Sequence, residues 1–101
     1  MTEHAARRDL DCCPSHPGAM LNDMLLDLRI SKVEVAKRLG ISRQQLHDIL
    51  AERKSLSPAV AAKVGRLFGG GTAFWVRIQG NYDAWHVDRT IDLSGITPLA
   101  A

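Results

Sequence analysis

The sequence ISKVEVAKRLGISRQQLHDILAERK, residues 30–54, predicts two short helices joined by a tight turn. Ser31 and Ser42 each begin a capping-box pattern, in which a serine and a Glu or Gln three residues later satisfy backbone N–H groups at a helix start. Starts this close together leave room for one helix of about two turns, over 32–39. Gly40 ends that helix, because glycine readily adopts the left-handed conformation. A helix, a glycine turn and a second helix form the layout of a helix-turn-helix.

The 3.6-residue helical period assigns inner and outer faces to both helices. The residues expected to face the core are Val35, Ala36, Leu39, Ile41, Leu46, Ile49 and Leu50. Gln44, Asp48 and Ala51 then point away from the core, with Gln45 and His47 on the flanks. The second helix therefore presents a polar face.

This polar face carries the side chains that read DNA bases in a major groove. Arg43 lies in the first turn, where a docked recognition helix reaches base edges, and Arg, Gln and His supply the paired donors and acceptors required. Asp48 is the exception, because a carboxylate repels phosphates unless it accepts from a cytosine amine or orients an Arg or His. A solvated surface is the usual explanation for one amphipathic helix. The agreement among caps, turn and inner faces favours DNA binding here.

Basic residues are concentrated around the predicted helix-turn-helix. Residues 29–54 hold seven basic and three acidic residues, a net charge of +4, whereas residues 1–28 hold two basic and five acidic residues, a net of −3. This division indicates a polyanion bound at one place and a different partner elsewhere. Arg53 and Lys54 follow the second helix, where side chains often clamp phosphate, and plain solvation is an equal alternative for both.

Composition limits the remaining possibilities. A chain of 101 residues fits one domain, and 46% hydrophobic with 24% charged residues is ordinary for a soluble protein. No apolar run approaches the ~18 residues of a membrane span and no signal-peptide core is present, so we expect a cytoplasmic protein. The sequence has no phosphate-binding glycine loop and no catalytic side-chain set. We therefore expect neither an enzyme nor a cofactor.

The N-terminal 15 residues are polar and without period, which predicts a mobile arm, either disordered or touching a partner. Cys12 and Cys13 are adjacent, and neighbouring cysteines rarely form a disulfide because the ring is strained. Together with His16 they lack the paired spacing of zinc ligands, so we expect reduced thiols and no metal site.

Three further helices are expected around the central pair. His16-Pro17-Gly18 leads into a helix over about 17–28, and Ser57-Pro58 is a strong start signal for one that ends near Phe68. Thr72 is expected to cap a last helix that runs to about 85, after a break at the three glycines. The inward positions of the first of these are Met20, Leu21, Met24, Leu25 and Leu28, and those of the second are Val60, Val64, Leu67 and Phe68.

The last helix has an aromatic and aliphatic side, formed by Phe74, Trp75, Ile78, Tyr82 and Trp85. A small core cannot easily enclose all of them, so this side either seals the domain or forms a subunit interface, where Trp and Tyr are enriched. We favour a dimer interface. Beyond it, apolar residues in near alternation within 86–101 fit a short strand, an arm or disorder.

Three segments together resemble the HigA-type antitoxins, which carry a Cro/C1-type (XRE) helix-turn-helix. They are His16-Pro17-Gly18, ISRQQ at 41–45, and FW-x-x-x-Q-x-x-YD-x-W at 74–85, and the resemblance covers roughly residues 16–85. The helix-turn-helix alone would indicate only the wide XRE class, and the other two segments narrow it to this family. One departure is Glu52, where the family often has glycine.

The resemblance implies an all-α, five-helix, lambda-repressor-like domain at 16–85. The flexible arm at 1–15 and the C-terminal tail or dimer arm at 86–101 are expected from the residues alone and match nothing in the family. It also implies a homodimer on a palindromic operator in its own promoter, and a RelE-like, mRNA-cleaving HigB-type toxin as partner. Lys32 corresponds to a phosphate-contacting position of the family. Taken together, the residues expected to contact DNA are Lys32, Ser42, Arg43, Gln44, Gln45, His47, Asp48, Arg53 and Lys54.

Two alternatives share this sequence pattern. A stand-alone XRE-family repressor without a toxin would have the same DNA-reading face. A protein-interaction module that has lost DNA binding is supported only by Asp48 and the low overall charge of +2.

Overall fold

This computed structural model describes residues 12–100 of the chain. Within that range the protein has five α-helices, joined by loops, and no strand. The helices are α1 (Pro17–Leu28), α2 (Lys32–Leu39), α3 (Arg43–Leu50), α4 (Pro58–Phe68) and α5 (Gly71–Thr90). The expected all-α, five-helix fold is confirmed. The predictions for residues 1–11 lie outside the described residues. None of the helices in the described range is long and apolar enough to cross a membrane.

One apolar core joins all five helices. Its buried members are Leu21, Leu25, Val35, Ala36, Leu39, Leu46, Ile49, Leu50, Leu56, Val60, Ala61, Val64 and Trp75. The inner faces predicted for the two central helices are confirmed, and Ile41 packs against the core from the turn between them. This packing leaves the opposite side of α3 uncovered.

The starts of α2 and α3 are held by local hydrogen bonds. The Ser31 hydroxyl accepts from the Glu34 N–H at 3.1 Å, and the Ser42 hydroxyl accepts from the N–H three residues later at 3.0 Å. Gly40 ends α2 in the left-handed conformation, with φ of 71°. The Glu34 carboxylate does not complete the capping box, because it accepts from Arg38 Nε at 2.7 Å.

The inward stripes of α1 and α4 each lack one predicted member. Leu28 is 62% exposed and Leu67 is 37% exposed, so both predictions of an inward side chain are wrong. Each residue lies in the last turn of its helix, while Leu25 and Val64 one turn earlier are buried. The core therefore ends before α1 does, whereas Phe68, the last residue of α4, still packs against it.

The boundaries of α5 also differ from the prediction. Gly70 occupies the N-cap position without a side-chain hydrogen bond, so Thr72 is not the cap. The junction with α4 is tight, because a Cβ on Gly65 would lie 2.6 Å from the Gly71 carbonyl carbon. The helix continues to Thr90, and residues 91–100 form neither the suggested strand nor a further helix.

Candidate nucleic-acid interface

Recognition helix α3 is buried on one side and open on the other. Leu46, Ile49 and Leu50 lie in the core, which anchors the helix. Arg43, Gln44 and His47 are exposed, and Gln45 is half-buried. A surface that reads DNA bases requires this exposure. The exposed side carries amide, guanidinium and imidazole groups that match base edges.

Asp48 is less exposed than expected for an outward side chain, although the groups that cover it are themselves exposed. Its side chain is 16% exposed, because neighbouring polar groups cover it. The carboxylate accepts from Gln44 Nε2 at 2.9 Å, and it lies 3.7 Å from Arg53 Nε and 4.0 Å from Lys54 Nζ. Asp48 thus orients basic and amide side chains, the second of the two roles open to a carboxylate at this position.

The backbone after α3 forms a Schellman motif, in which a residue in the left-handed conformation closes the helix. Glu52 holds that position with φ of 63°, and its N–H donates to the Ile49 carbonyl at 3.0 Å. The N–H of Arg53 donates to the Asp48 carbonyl at 2.8 Å. Glu52 therefore keeps the backbone conformation that glycine favours. The hydrogen bonds of this motif also fix the backbone of Arg53 and Lys54 relative to α3.

The start of α1 lies directly against the end of α3. His16 Nδ1 accepts from the Gly18 N–H at 2.9 Å and caps the helix. A Cβ on Gly18 would overlap the Ile49 carbonyl oxygen and lie 2.9 Å from its carbon. His16-Pro17-Gly18 is therefore a structural unit: a cap, a helix-starting proline and a glycine that admits the backbone of the recognition helix.

His16 is buried, and its ring packs nearly perpendicular to the ring of Tyr82, with centroids 4.8 Å apart. Burial lowers the pKa of His16 below its ordinary value of 6.5, although the negative charges of Glu52 and Asp83 and a backbone hydrogen bond with Lys54 oppose the change. Because Nδ1 accepts a hydrogen bond, Nε2 carries the proton of the neutral ring.

Gln79 connects α5 to the loop that follows the recognition helix. Its Oε1 accepts from the Leu56 N–H at 2.7 Å, and its Nε2 donates to Asp83 Oδ1 at 2.9 Å. The side chain is buried, so both amide groups are satisfied inside the protein. The residue types alone do not assign this role. A polar side chain one helical turn after Trp75, on the same inward side, is the signal that could have found it.

The aromatic side of α5 mostly seals the domain. Trp75 is 1% exposed and its Nε1 donates to the Gly69 carbonyl at 2.8 Å, so its assignment to a dimer interface is wrong. Ile78 packs against the core, and Tyr82 packs against His16. The space between α4 and α5 thus admits more aromatic surface than expected for a small core.

Phe74 and Trp85 retain accessible surface on the same helix. Phe74 is 38% exposed, and Trp85 is half-buried with the Arg89 guanidinium 3.7 Å from its ring centroid. Their role in a dimer interface stays a prediction.

Cys12 and Cys13 are free thiols on the surface. Cys13 Sγ lies 3.4 Å from His86 Nε2 on α5. Within residues 12–100, no group of three or more His, Cys, Asp or Glu side chains is arranged to hold a metal ion.

The packed α2–turn–α3 unit, with its exposed polar helix, defines a helix-turn-helix domain. The helix-turn-helix family HTH_3 matches residues 22–75. Virulence-associated protein A of Dichelobacter nodosus is 38% identical over 71 residues, which are 68% of this chain and 70% of that protein. The chain belongs to the HTH_3 family of XRE-type helix-turn-helix proteins.

Two solved structures narrow the similarity further. The Pseudomonas aeruginosa antitoxin HigA, solved with the higBA promoter, has a TM-score of 0.73 at 31% identity and covers 85% of this chain and 98% of its own. An addiction module antidote protein of a HigA family from Coxiella burnetii has a TM-score of 0.68 at 26% identity and covers 80% and 98%. The structural neighbours of this chain thus include HigA-family antitoxins.

Proposed function

We propose that this chain is an antitoxin of a HigB/HigA-like toxin–antitoxin pair, which binds operator DNA as a dimer and represses its own operon. The observation that carries the proposal is the exposed polar side of α3, bounded by Arg43 at its start and by Arg53 and Lys54 beyond its end. The likeness to an antitoxin solved with its promoter supports the same function. A repressor acts where the DNA is, so we assign the chain to the cytoplasm, without a catalytic activity of its own.

In the proposed complex, α3 enters a major groove with its Gln44 side toward the bases. Arg43 can donate two hydrogen bonds to a base edge. Gln44 can accept one through Oε1 and donate one through the Nε2 hydrogen that is not bonded to Asp48. Lys32 lies exposed at the start of α2, where its ammonium and the free N–H groups of the helix both suit a phosphate. Arg53 and Lys54 would bind a second stretch of the backbone.

Operator binding can be tested with a duplex that contains the promoter upstream of this gene. We expect binding to weaken steeply as salt rises, because each phosphate contact releases condensed counterions. A footprint on that duplex should show two half-sites about one helical turn apart, the spacing that a two-fold symmetric dimer requires. Binding that ignores salt, or absence of any footprint, would support the protein-interaction alternative.

A dimer would need surface that the single chain leaves open. Phe74 and Trp85 on α5 offer it, and Leu67 lies on the adjoining helix α4. The Trp85→Ala variant should therefore dissociate more readily in sedimentation while it keeps the helical content of the parent. An unchanged dimer would place the interface on another face.

The toxin partner separates the proposal from a stand-alone repressor, since the DNA-reading face would be the same in both. Co-expression with the protein encoded beside this gene is the direct test. A stable complex that removes the RNA-cleaving activity of that neighbour is the expected result. If the neighbouring gene encodes no small basic protein and no complex forms, only the function of a stand-alone repressor remains.

A further inference from the structure

The side chains of Gln44 and Asp48 form a hydrogen-bonded pair on the open side of α3. Gln44 Nε2 donates to Asp48 Oδ1 at 2.9 Å, and the spacing of four residues places both side chains on one face of the helix. Gln44 is exposed, whereas the Asp48 side chain is only 16% exposed. The carboxylate also lies close to two cations, 3.7 Å from Arg53 Nε and 4.0 Å from Lys54 Nζ. The partner that orients Gln44 is therefore itself held in place.

The Asp48 carboxylate selects one orientation of the Gln44 amide. An ionised carboxylate only accepts hydrogen bonds, whereas an amide has a donating NH2 group on one side and an accepting oxygen on the other. If the Gln44 amide turned over, its Oε1 would face the carboxylate, and the two negative oxygens would repel each other. Asp48 thus keeps Nε2 toward itself, and it leaves Oε1 and the second Nε2 hydrogen of Gln44 for a ligand.

One acceptor beside one donor matches the major-groove edge of adenine. Adenine presents its N6 amino group as a donor and N7 as an acceptor, so a glutamine held in this orientation can use both of its remaining groups. Guanine presents two acceptors, O6 and N7, and Gln44 Oε1 would be left without a partner there. The negative charge of Asp48 acts in the same direction, because it favours a nearby amino group over a nearby carbonyl oxygen.

We infer that Asp48 is a positioning residue that makes Gln44 read adenine rather than guanine in each operator half-site, an inference that rests on the proposed function. The same carboxylate lowers the affinity for DNA of any sequence, because it competes with phosphates for Arg53 and Lys54. Only a sequence with adenine opposite Gln44 offsets this cost with two base contacts. Asp48 therefore increases specificity at the expense of general affinity.

The test variant is Asp48→Asn, which has nearly the same shape and no charge. An asparagine amide both donates and accepts, so it can bond to either orientation of the Gln44 amide. Affinities of the full chain are measured for the operator duplex, for a random duplex, and for duplexes in which each half-site position carries every other base in turn. The position read by Gln44 is the one at which Gln44→Ala loses its base preference. There the parent should prefer adenine over guanine about tenfold.

At that position, Asp48→Asn should lower the preference for adenine to about threefold or less, because both amide orientations become available. The variant should also bind the random duplex several-fold more tightly than the parent does. In a chain that already carries Gln44→Ala, Asp48→Asn should no longer change any base preference, since the side chain it orients is gone.

The matched control is Glu52→Gln. It removes one negative charge from an exposed residue beside Arg53, and the Glu52 side chain makes no hydrogen bond to Gln44. The adenine preference of this control should equal that of the parent, which separates the oriented amide from the change in net charge.

Four results would overturn the inference. An unchanged adenine preference in Asp48→Asn, or a Gln44 position that prefers another base, would do so while operator binding by the parent keeps the proposed function intact. Equal weakening on every duplex would show that Asp48 only supports the end of α3. A preference for cytosine lost at a different position would show that Asp48 itself contacts a base. If the parent binds no operator, the DNA-binding part of the proposed function fails, and the inference fails with it.

Discussion

The two ends of α3 are held in different ways. At the first end, Ser42 caps the helix with its own hydroxyl, and Arg43 and Gln44 are exposed. At the second end, the Ile49 carbonyl meets Gly18 of α1, and the loop that follows is bound by Gln79 of α5. The first end thus depends on neighbours in sequence, whereas the second, besides its local Schellman hydrogen bonds, also depends on residues more than twenty positions away.

This difference separates recognition from stability along one helix. Side chains at the first end make few contacts within the protein and are free to contact DNA. Contacts at the second end fix the orientation of the helix and of the loop that follows it relative to the rest of the domain. Substitutions at the second end should therefore change the free energy of unfolding, and substitutions at the first should change binding to DNA.

The largest effect is expected from Gly18→Ala. The new Cβ would overlap the Ile49 carbonyl oxygen, and backbone atoms cannot move aside as a flexible side chain can. We expect the variant to lose about 3 kcal/mol of unfolding free energy, measured by urea denaturation.

Gly80→Ala is the matched control, because an added Cβ meets no atom within 4 Å there. Within a helix this change should stabilise the protein by about 0.5–1 kcal/mol. Equal stability of the two variants would show that α1 and α3 are not in close contact.

Gln79→Ala should have the next largest effect. It would leave the buried N–H of Leu56 without an acceptor, which costs about 1–3 kcal/mol in denaturation measurements. The loop that carries Arg53 and Lys54 would also loosen, so operator affinity should decrease. Gln44→Ala at the first end should change stability by less than about 0.5 kcal/mol. A comparable loss of stability in both variants would remove the distinction between the two ends.

Glu52→Gly should strengthen the second end. Glu52 adopts φ of 63°, a conformation that costs side chains other than glycine about 1–2 kcal/mol. Part of this cost is offset by the larger entropy of glycine in the unfolded chain, so we expect a gain of about 1 kcal/mol in thermal unfolding. Ala51→Gly, next to it at φ of −85°, should give no gain. A gain at both positions would mean that the left-handed backbone is not the cause.

The smallest effect is a dependence on pH at His16. Its pKa in the folded protein is lowered by burial, so the unfolded chain binds the proton more readily. The contribution is fully present above the ordinary pKa of 6.5 and is lost as the pH falls below it. Protonation would also put a hydrogen on Nδ1, which now accepts from Gly18.

The control for this effect is His16→Asn, which keeps a capping acceptor but does not titrate. The stability of the parent should decrease more than that of the variant between pH 7.5 and pH 5.5. If both change equally, other groups cause the pH dependence.

The same contrast explains what the sequence could predict. Ser31, Gly40 and Ser42 act on residues within four positions, so motifs and helical period were sufficient for α2, α3 and their exposed face. Gly18 and Gln79 act across the fold, and a linear pattern does not show what they meet.

The errors have the same origin. Helix faces alone do not show how much aromatic surface the core holds, because that depends on the close approach of α4 and α5, and they therefore place Trp75 wrongly in a dimer interface. The low exposure of Asp48 is not expected from the helical period, which does not show that Arg53 and Lys54 fold back toward it. Glu52 departs from the glycine common in the family and yet keeps the left-handed turn, because the hydrogen bonds around it determine the backbone.

The most direct test of DNA reading by α3 compares Gln44→Ala with Lys32→Ala on the operator duplex and on a random duplex. If Gln44 contacts a base, its loss should weaken operator binding by about 1–3 kcal/mol and leave random DNA almost unchanged. Loss of the Lys32 ammonium should weaken both duplexes alike, because phosphates carry no sequence information. Equal losses on both duplexes for Gln44→Ala would contradict the account.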